Sequence, residues 1–303
     1  MYSVIIPTKN ESANIGRCIR SVFESVEDSN LVEVIVVDNG SSDNTREIAN
    51  LTGAKVCVDA NAHISGLRNL GAKRATFNIF GFIDADCEAL PGWLNNARGI
   101  LSDKSVGIVG DYYRLPEQAK WIERAYFSSI PRKKREVSFL SGGNMVMLRD
   151  TFLEVGGFNE EMITCEDYAI CLKLKSAGLK ILSDPSVSVV HYGNPHTLTQ
   201  LFKREVWCGL GMIDLYKYGK IVMPLAWSVA NIVLIGFICS MLAFGRFGWA
   251  LMTILLMLLL PGGAGLMRCL NSHSYRHLLP LYVIFMVYGF ARTVSIFKRF
   301  GGV

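Results

Sequence analysis

The 303-residue chain has no CxxC pair. Its cysteines, Cys18, Cys57, Cys87, Cys165, Cys171, Cys208, Cys239 and Cys269, are scattered without the close pairing that a zinc knuckle or a redox centre requires. They read as small buried hydrophobes in a reducing compartment. The chain also lacks a strong excess of one charge: the formal balance is +5, with the cations gathered in a few places, so no nucleic-acid partner is expected. A phosphate-bearing substrate or an anionic lipid surface fits that balance better. No internal repeat or low-complexity tract is present, which excludes a solenoid or a disordered array. The first residues, Met1-Tyr2-Ser3 followed by Val4-Ile5-Ile6, carry neither a basic lead nor a long apolar run, so a cleaved secretion signal is not expected and the first domain should stay in the cytoplasm.

Apolar residues, by contrast, are abundant. At 50% of the composition they exceed what one soluble domain of this length needs, and two regions are expected. To about residue 200, short apolar runs alternate with stretches of helical period, which predicts an α/β fold with a largely parallel sheet. Strands are predicted at Ser3–Pro7, Val32–Asp38, Lys55–Val58, Ile79–Ile83, Val106–Gly110, Gly143–Leu148 and Val187–Val190, with helices over Ala13–Val26 and Thr45–Leu51. Residues 221–303 read as a membrane region after a 1–220 domain. Segments 221–244 and 247–267 each have the length of a membrane-crossing helix, joined by a tight hairpin at Gly245-Arg246. A third, Leu278–Phe297, contains Arg292 and is compatible with spanning or with lying at the interface. Lys203, Arg204, Lys217 and Lys220 before the first segment, and Arg268 and Arg276 after the second, place both flanks on the cytoplasmic side. Three full spans would put Lys298 and Arg299 on the far side, against that trend.

The strongest chemical signal is Phe82-Ile83-Asp84-Ala85-Asp86, an apolar strand ending in two carboxylates. If the strand continued extended, Asp84 and Asp86 would point to one side beyond the carboxyl edge of the sheet, where α/β proteins bind ligands. Oxygen ligands there suit Mg2+ or Mn2+, which neutralise charge on a departing diphosphate. Val4-Ile5-Ile6-Pro7-Thr8-Lys9-Asn10-Glu11 and Val34-Ile35-Val36-Val37-Asp38 deliver polar tips to the same edge. Thr8, Glu11 and Asp38 could meet ribose hydroxyls or a base, whereas Ser41 to Asp43 also read as a helix cap or Asx turn.

Together these segments resemble glycosyltransferase family 2, the inverting enzymes of GT-A fold, over about residues 3–210. The resemblance implies a nucleotide-sugar-binding sheet with Pro7, Thr8, Glu11 and Asp38 on the nucleoside. Ser65-Gly66-Leu67-Arg68-Asn69 resembles the segment ahead of the two aspartates, with Arg68 approaching base or phosphate and Asp84 on the donor side. It implies Asp86 and Asp84 as metal ligands for Mn2+ or Mg2+. His191 follows from some relatives as a further ligand, or else as a hydrogen-bonding group to the diphosphate or a nearby loop.

Ser141-Gly142-Gly143-Asn144 and Gly156-Gly157-Phe158 match the acceptor side, which brings in Gly142, Gly143 and Asn144; both segments also suit an ordinary hairpin or cap. Thr164-Cys165-Glu166-Asp167 resembles the family's Glu-Asp motif, with Asp167 as the base that takes the acceptor proton and Glu166 supporting it. Read alone, Thr164 and Asp167 would form a capping box. Arg204 and Trp207 resemble the segment that closes over the diphosphate in membrane-bound relatives, without the Gln-x-x-Arg-Trp signature of processive synthases. The basic run Pro131-Arg132-Lys133-Lys134-Arg135 is either a solvated loop or one that touches lipid headgroups or a phosphate-bearing acceptor.

The expected activity is therefore inverting transfer from a nucleotide diphosphate sugar, UDP-sugar first and GDP- or dTDP-sugars left open. The acceptor would be membrane-associated: polyprenyl phosphate, a lipid-linked glycan or a glycolipid. The rival is a non-catalytic nucleotide-sugar-binding scaffold or transport partner, against which Asp84, Asp86 and Asp167 argue, since a silent module has no physical need for carboxylates crowded about one phosphate site.

Overall fold

The computed structural model describes residues 1–127, 130, 132–272 and 275–301. It separates into two compact units, Met1–Pro116 with Arg132–Gly193, and Glu117–Pro131 with Asn194–Val303.

The first unit is built on strands β1 (Tyr2–Thr8), β2 (Val32–Asp38), β3 (Lys55–Val58), β4 (Ile79–Ile83), β5 (Cys87–Ala89), β6 (Val106–Gly110), β7 (Arg135–Glu136), β8 (Asn144–Leu148), β9 (Lys180–Ser183) and β10 (Val189–His191). Eight of them form one sheet in the order β3-β2-β1-β4-β8-β6-β9-β7, and β10 pairs with β5 in a second. β1, β2 and β4 are buried along their whole length, as expected of apolar runs covered on both faces. Helices α1 (Ile15–Glu24), α2 (Thr45–Leu51), α3 (Ile64–Arg74), α4 (Trp93–Ile100), α6 (Arg149–Glu154) and α7 (Glu166–Ser176) belong to this unit, and α5 (Trp121–Phe127) to the other.

Register positions the loops. Parallel pairing sets Thr8 beside Asp38, so the tips of β1 and β2 open together. β8 enters antiparallel, with Asn144 opposite Ile83. The loop ahead of β8 therefore meets the end of β4, which brings Gly142 and Gly143 to Asp84. Close helix packing comes from Gly71 on α3, where a side chain would run into Ile5 and sit 3.2 Å from Val37.

The predicted strand 143–148 begins one residue later, at Asn144, and the one predicted to end at Val190 extends through His191. The short β5 and β7, together with β9, gave no clear run in the sequence. β4 stops at Ile83, and Asp84 to Asp86 form a turn closed by the Cys87 N–H donating to the Asp84 carbonyl (3.0 Å). The two aspartates are thus held by a turn and not by an extended strand.

The second unit holds α5, α8 (Leu198–Gly209), α9 (Met223–Ala243), α10 (Phe247–Ser272) and α11 (Leu278–Gly301). The stretches Met223–Ala243, Phe247–Leu270 and Leu278–Gly301 are long and apolar enough to cross a membrane. α8 lies along α11: Phe202 meets Phe290 with ring centroids 5.8 Å apart, and a side chain at Gly209 would overlap Ser295. The arginines of α11 are matched, Arg292 to Glu205 (2.7 Å) and Arg299 to Asp214 (3.2 Å). Pairing offsets the cost of a guanidinium on an apolar helix. α9 joins α11 through Asn231 donating to Thr293 (3.2 Å) and through Trp227 over Gly289.

Candidate active site

The site of the first unit is organised by one guanidinium. Arg68, on α3, is only 2% exposed; its Nη2 lies 2.7 Å from Asp84 Oδ1 and its Nη1 donates to Glu166 Oε1. Both terminal nitrogens are thus engaged by carboxylates, and Arg68, expected at a base or phosphate, is a buried bridge between the turn after β4 and the start of α7. Burial alone would lower this guanidinium, but Asp84 and Glu166 hold it above its ordinary range. Gly142 is required beside it, because a side chain there would approach the Arg68 nitrogens to 2.7 Å.

α7 begins at Glu166 behind Cys165, whose backbone is left-handed (φ 66) and which supplies no side-chain cap. Asp167 instead accepts from the Gly142 N–H (3.2 Å) and from the Tyr168 N–H (2.7 Å). Burial pushes Glu166 up to about 7, against the pull of Arg68, and burial likewise raises Asp167. A carboxylate lifted toward neutrality is suited to accepting a proton.

Asp86 takes a different partner from Asp84. Its Oδ2 is 3.5 Å from His191 Nε2, and Asp86, Cys87 and His191 offer ligand atoms that lie within 4.8 Å of one another. Tyr113, which the sequence reading missed, stacks on His191 with ring centroids 4.3 Å apart and planes 10° from parallel. Its hydroxyl lies 2.6 Å from Ser141 Oγ and donates to Asp84 Oδ2 (3.4 Å). The available signal was its place just beyond Gly110, at the carboxyl end of β6. Gly193 was missed too; a side chain there would overlap the Asp86 carboxylate, as one at Gly143 would overlap Asp84 and Tyr113.

The basic run contributes to this geometry. Arg132 donates to the carbonyls of Tyr112 and Tyr113 (2.8 Å each) and sits 3.3 Å from the buried Asp111; Lys134 is 3.6 Å from Asp184, and Arg135 lies over the Tyr112 ring. Arg132 and Arg135 therefore brace the loop after β6 and Lys134 meets the loop after β9, while Pro131 falls outside the described residues.

Asn144 faces inward, donating to the carbonyls of Asp111 and Val187 and accepting from Trp93 Nε1 (2.8 Å). It ties strands together instead of reaching toward an acceptor. Gly157 (φ 59) has a comparable role: the loop it begins docks on α3 through Asn69, which pairs with both the N–H and the carbonyl of Phe158.

At the β1 and β2 tips, Pro7 and Thr8 end β1, and Thr8 is buried with its hydroxyl oxygen unpaired. Asp38 is fully buried and accepts from both the N–H and the hydroxyl of Ser41, an Asx-type turn. Glu11 accepts from Asn14 (2.8 Å), and burial raises its carboxyl. Arg204 and Trp207 lie on α8 in the second unit, where Arg204 is 3.3 Å from Glu205 and Trp207 is 48% exposed.

The fold is shared with a solved enzyme. A mannosyltransferase from Pyrobaculum calidifontis, solved with GDP-Man and Mn2+, matches at TM-score 0.67 and 19% identity, over 98% of this chain and 87% of that one. The fold is that of the GT-A glycosyltransferases. Residues 3–156 match the family model "Glycosyl transferase family 2", and residues 107–292 match "Glycosyl transferase family group 2". The chain belongs to glycosyl transferase family 2, and its chemistry is glycosyl transfer. It is 27% identical over 247 residues to "Glycosyltransferase AglE" of Haloferax volcanii, covering 78% of this chain and 81% of that protein. It is 28% identical over 205 residues to "Pre-mycofactocin glycosyltransferase" of Mycobacterium tuberculosis, covering 62% of this chain but only 42% of that protein's length.

The family implies a divalent ion, and the residues present fit one. Asp86 and His191 offer a carboxylate oxygen and an imidazole nitrogen, a donor set suited to Mn2+ or Mg2+. Burial pushes the Cys87 thiol well above its usual range, so it favours the neutral form and leaves the hard donors to bind.

Proposed function

We propose that this chain is a metal-assisted inverting glycosyltransferase. It would take a sugar from a nucleotide diphosphate donor, UDP-sugar first, and pass it to a membrane-associated acceptor such as polyprenyl phosphate, a lipid-linked glycan or a glycolipid. The observation that carries the reading is the Arg68 bridge, which gathers the Asp84 turn and the Glu166-Asp167 helix start into one cluster.

In this reading Asp86 and His191 hold Mn2+ or Mg2+, with Asp84 beside them. When bound, the ion supplies positive charge to the departing nucleoside diphosphate. Arg68 fixes the spacing of Asp84 and Glu166 and, against burial, pulls the Glu166 carboxyl toward its charged form. Asp167, anchored by the Gly142 N–H, takes the proton of the acceptor hydroxyl as it attacks the anomeric carbon from the face opposite the diphosphate. The nucleoside falls to the paired tips of β1 and β2, with Pro7, Thr8, Glu11 and Asp38 around it. Arg204 and Trp207 are proposed on the donor side from the resemblance alone, and Gly142 and Gly143 shape the acceptor side by leaving room that a side chain would fill.

The three apolar helices support a location in the cytoplasmic membrane, and the cations flanking the first two support a cytoplasmic catalytic unit. The test is to offer the purified full chain in detergent a panel of nucleotide sugars with Mn2+ or Mg2+ and a membrane-lipid extract. Labelled sugar should move into the organic phase with its anomeric configuration inverted. Retention, or no transfer with any donor, contradicts the proposal.

A further inference from the structure

Tyr113, in the loop after β6, touches three segments beyond its own. Its ring is stacked on His191 of β10, with centroids 4.3 Å apart and planes 10° from parallel. Its hydroxyl donates to Asp84 Oδ2 (3.4 Å), in the turn after β4, and lies 2.6 Å from Ser141 Oγ, ahead of β8. The backbone beside it is stitched to β10 at two points: the Arg114 N–H donates to the Val189 carbonyl (2.8 Å), and the His191 N–H donates to the Arg114 carbonyl (3.1 Å). Arg132 holds the carbonyl of Tyr113 itself (2.8 Å).

An imidazole binds a cation along the lone pair of a ring nitrogen, so the plane of the ring decides whether that nitrogen reaches the ion. The outer torsion of a histidine side chain is intrinsically broad. A parallel ring at stacking distance narrows it, and here the stacked imidazole presents Nε2 at 3.5 Å from Asp86 Oδ2, the other proposed ligand. The tyrosine ring is anchored in its turn by its hydroxyl. A phenol has one proton; with that proton given to Asp84, the Ser141 hydroxyl donates to the phenol oxygen. Asp84 Oδ1 is taken by Arg68 (2.7 Å), so Tyr113 touches both His191 and a member of the Arg68 cluster. Glycine at 143 leaves the space in which they meet, because a side chain there would overlap both the Tyr113 hydroxyl and the Asp84 carboxylate.

We propose that Tyr113 is a positioning residue of the divalent-ion site: its ring sets the plane in which His191 presents Nε2, and its hydroxyl, held between Ser141 and Asp84, anchors that ring. The proposal rests on the reading of Asp86 and His191 as ion ligands.

Pulsed electron paramagnetic resonance of Mn2+ bound with UDP to the full chain in detergent tests it, since an imidazole ligand imprints a nitrogen modulation on the echo of the ion. The unmodified chain should show that modulation. Tyr113→Leu should weaken Mn2+ binding about tenfold or more and lose the modulation, whereas Tyr113→Phe should fall between the two in affinity and keep it. Unchanged affinity and modulation in Tyr113→Leu overturn the proposal, as does a loss in Tyr113→Phe equal to that in the leucine variant. Should the leucine variant fail to fold, para-fluorophenylalanine placed at position 113 decides: a fluorine coupling to the bound Mn2+ supports the placement, and no coupling refutes it. Mn2+ bound by the unmodified chain without nitrogen modulation sinks His191 as a ligand and this proposal with it, while leaving Asp86 and the transferase reading standing. An unmodified chain that binds neither Mn2+ nor UDP sinks that reading as well.

Discussion

Asp84 and Glu166, one from the turn after β4 and the other from the first turn of α7, are held to a common centre by the two terminal nitrogens of Arg68. The bridge sets the spacing between the donor-side carboxylates and the proposed base, and it does so from a side chain that is itself buried.

Arg68→Met should therefore cost about 3–5 kcal/mol of stability, because it leaves two carboxylates without their cation, one of them 7% exposed. Chemical denaturation of the variant checks the cost, and transfer should be lost even at temperatures where the variant stays folded. Arg68→Lys should recover part of the stability and little of the activity, since an ammonium cannot span both partners.

Asp167→Asn should lower kcat by about 10^2- to 10^4-fold, the usual worth of a general base. Binding of nucleotide with Mn2+ should persist, because the amide oxygen can still accept from the Gly142 N–H. A variant with near-normal kcat would remove Asp167 from the chemistry.

The pH profile follows from the same cluster. Glu166 is raised from 4.5 to about 7 and Asp167 is raised with it, so the pair holds a proton into the neutral range. kcat/KM should rise with pH on an acidic limb displaced above the usual carboxylate range. Stability should run the other way. A folded-state pKa above the unfolded one contributes stability below pH 4.5, and that contribution fades as pH climbs through about 7. Urea titrations across that window supply the comparison; stability that increases with pH there would contradict the environment assigned to the pair.

Glycine positions provide a geometric test. Gly193→Ala puts a methyl group into the Asp86 carboxylate, and Gly143→Ala does the same to Asp84 and Tyr113. Each should cost about 1–3 kcal/mol in strain and weaken Mn2+ binding by roughly 10- to 100-fold through displaced ligands. Gly99→Ala, at an α4 position with open space around it, is the matched control; it should leave Mn2+ binding unchanged and raise stability by up to about 1 kcal/mol.

Much of the first unit was legible because its central strands are unbroken apolar runs: Val32–Asp38 and Ile79–Ile83 could be bounded from composition alone. β5 and β7 are three and two residues long, too short for any period to show, and the inward turn of Asn144 depends on partners at Trp93, Asp111 and Val187. Local sequence made Asp84 and Asp86 candidates for chemistry, and the family resemblance added Asp167. It could not reveal that Arg68 joins two of these segments, since an arginine on a helix gives no hint of what lies across the sheet. Tyr113 was hidden for a similar reason, as its stacking on His191 is a long-range contact. The cations of Arg132 to Arg135 looked like a surface feature, and two of them, Arg132 and Arg135, turn out to hold the loop that carries Tyr113.

Electron paramagnetic resonance of Mn2+ added to the purified full chain with UDP tests the central claim, that the turn after β4 holds a divalent ion through Asp86 and His191. The unmodified chain and Asp167→Asn should both bind the ion with its signal broadened by coordination, whereas Asp86→Asn should leave it as free aqueous Mn2+. Equal binding by Asp86→Asn and the unmodified chain would contradict the account.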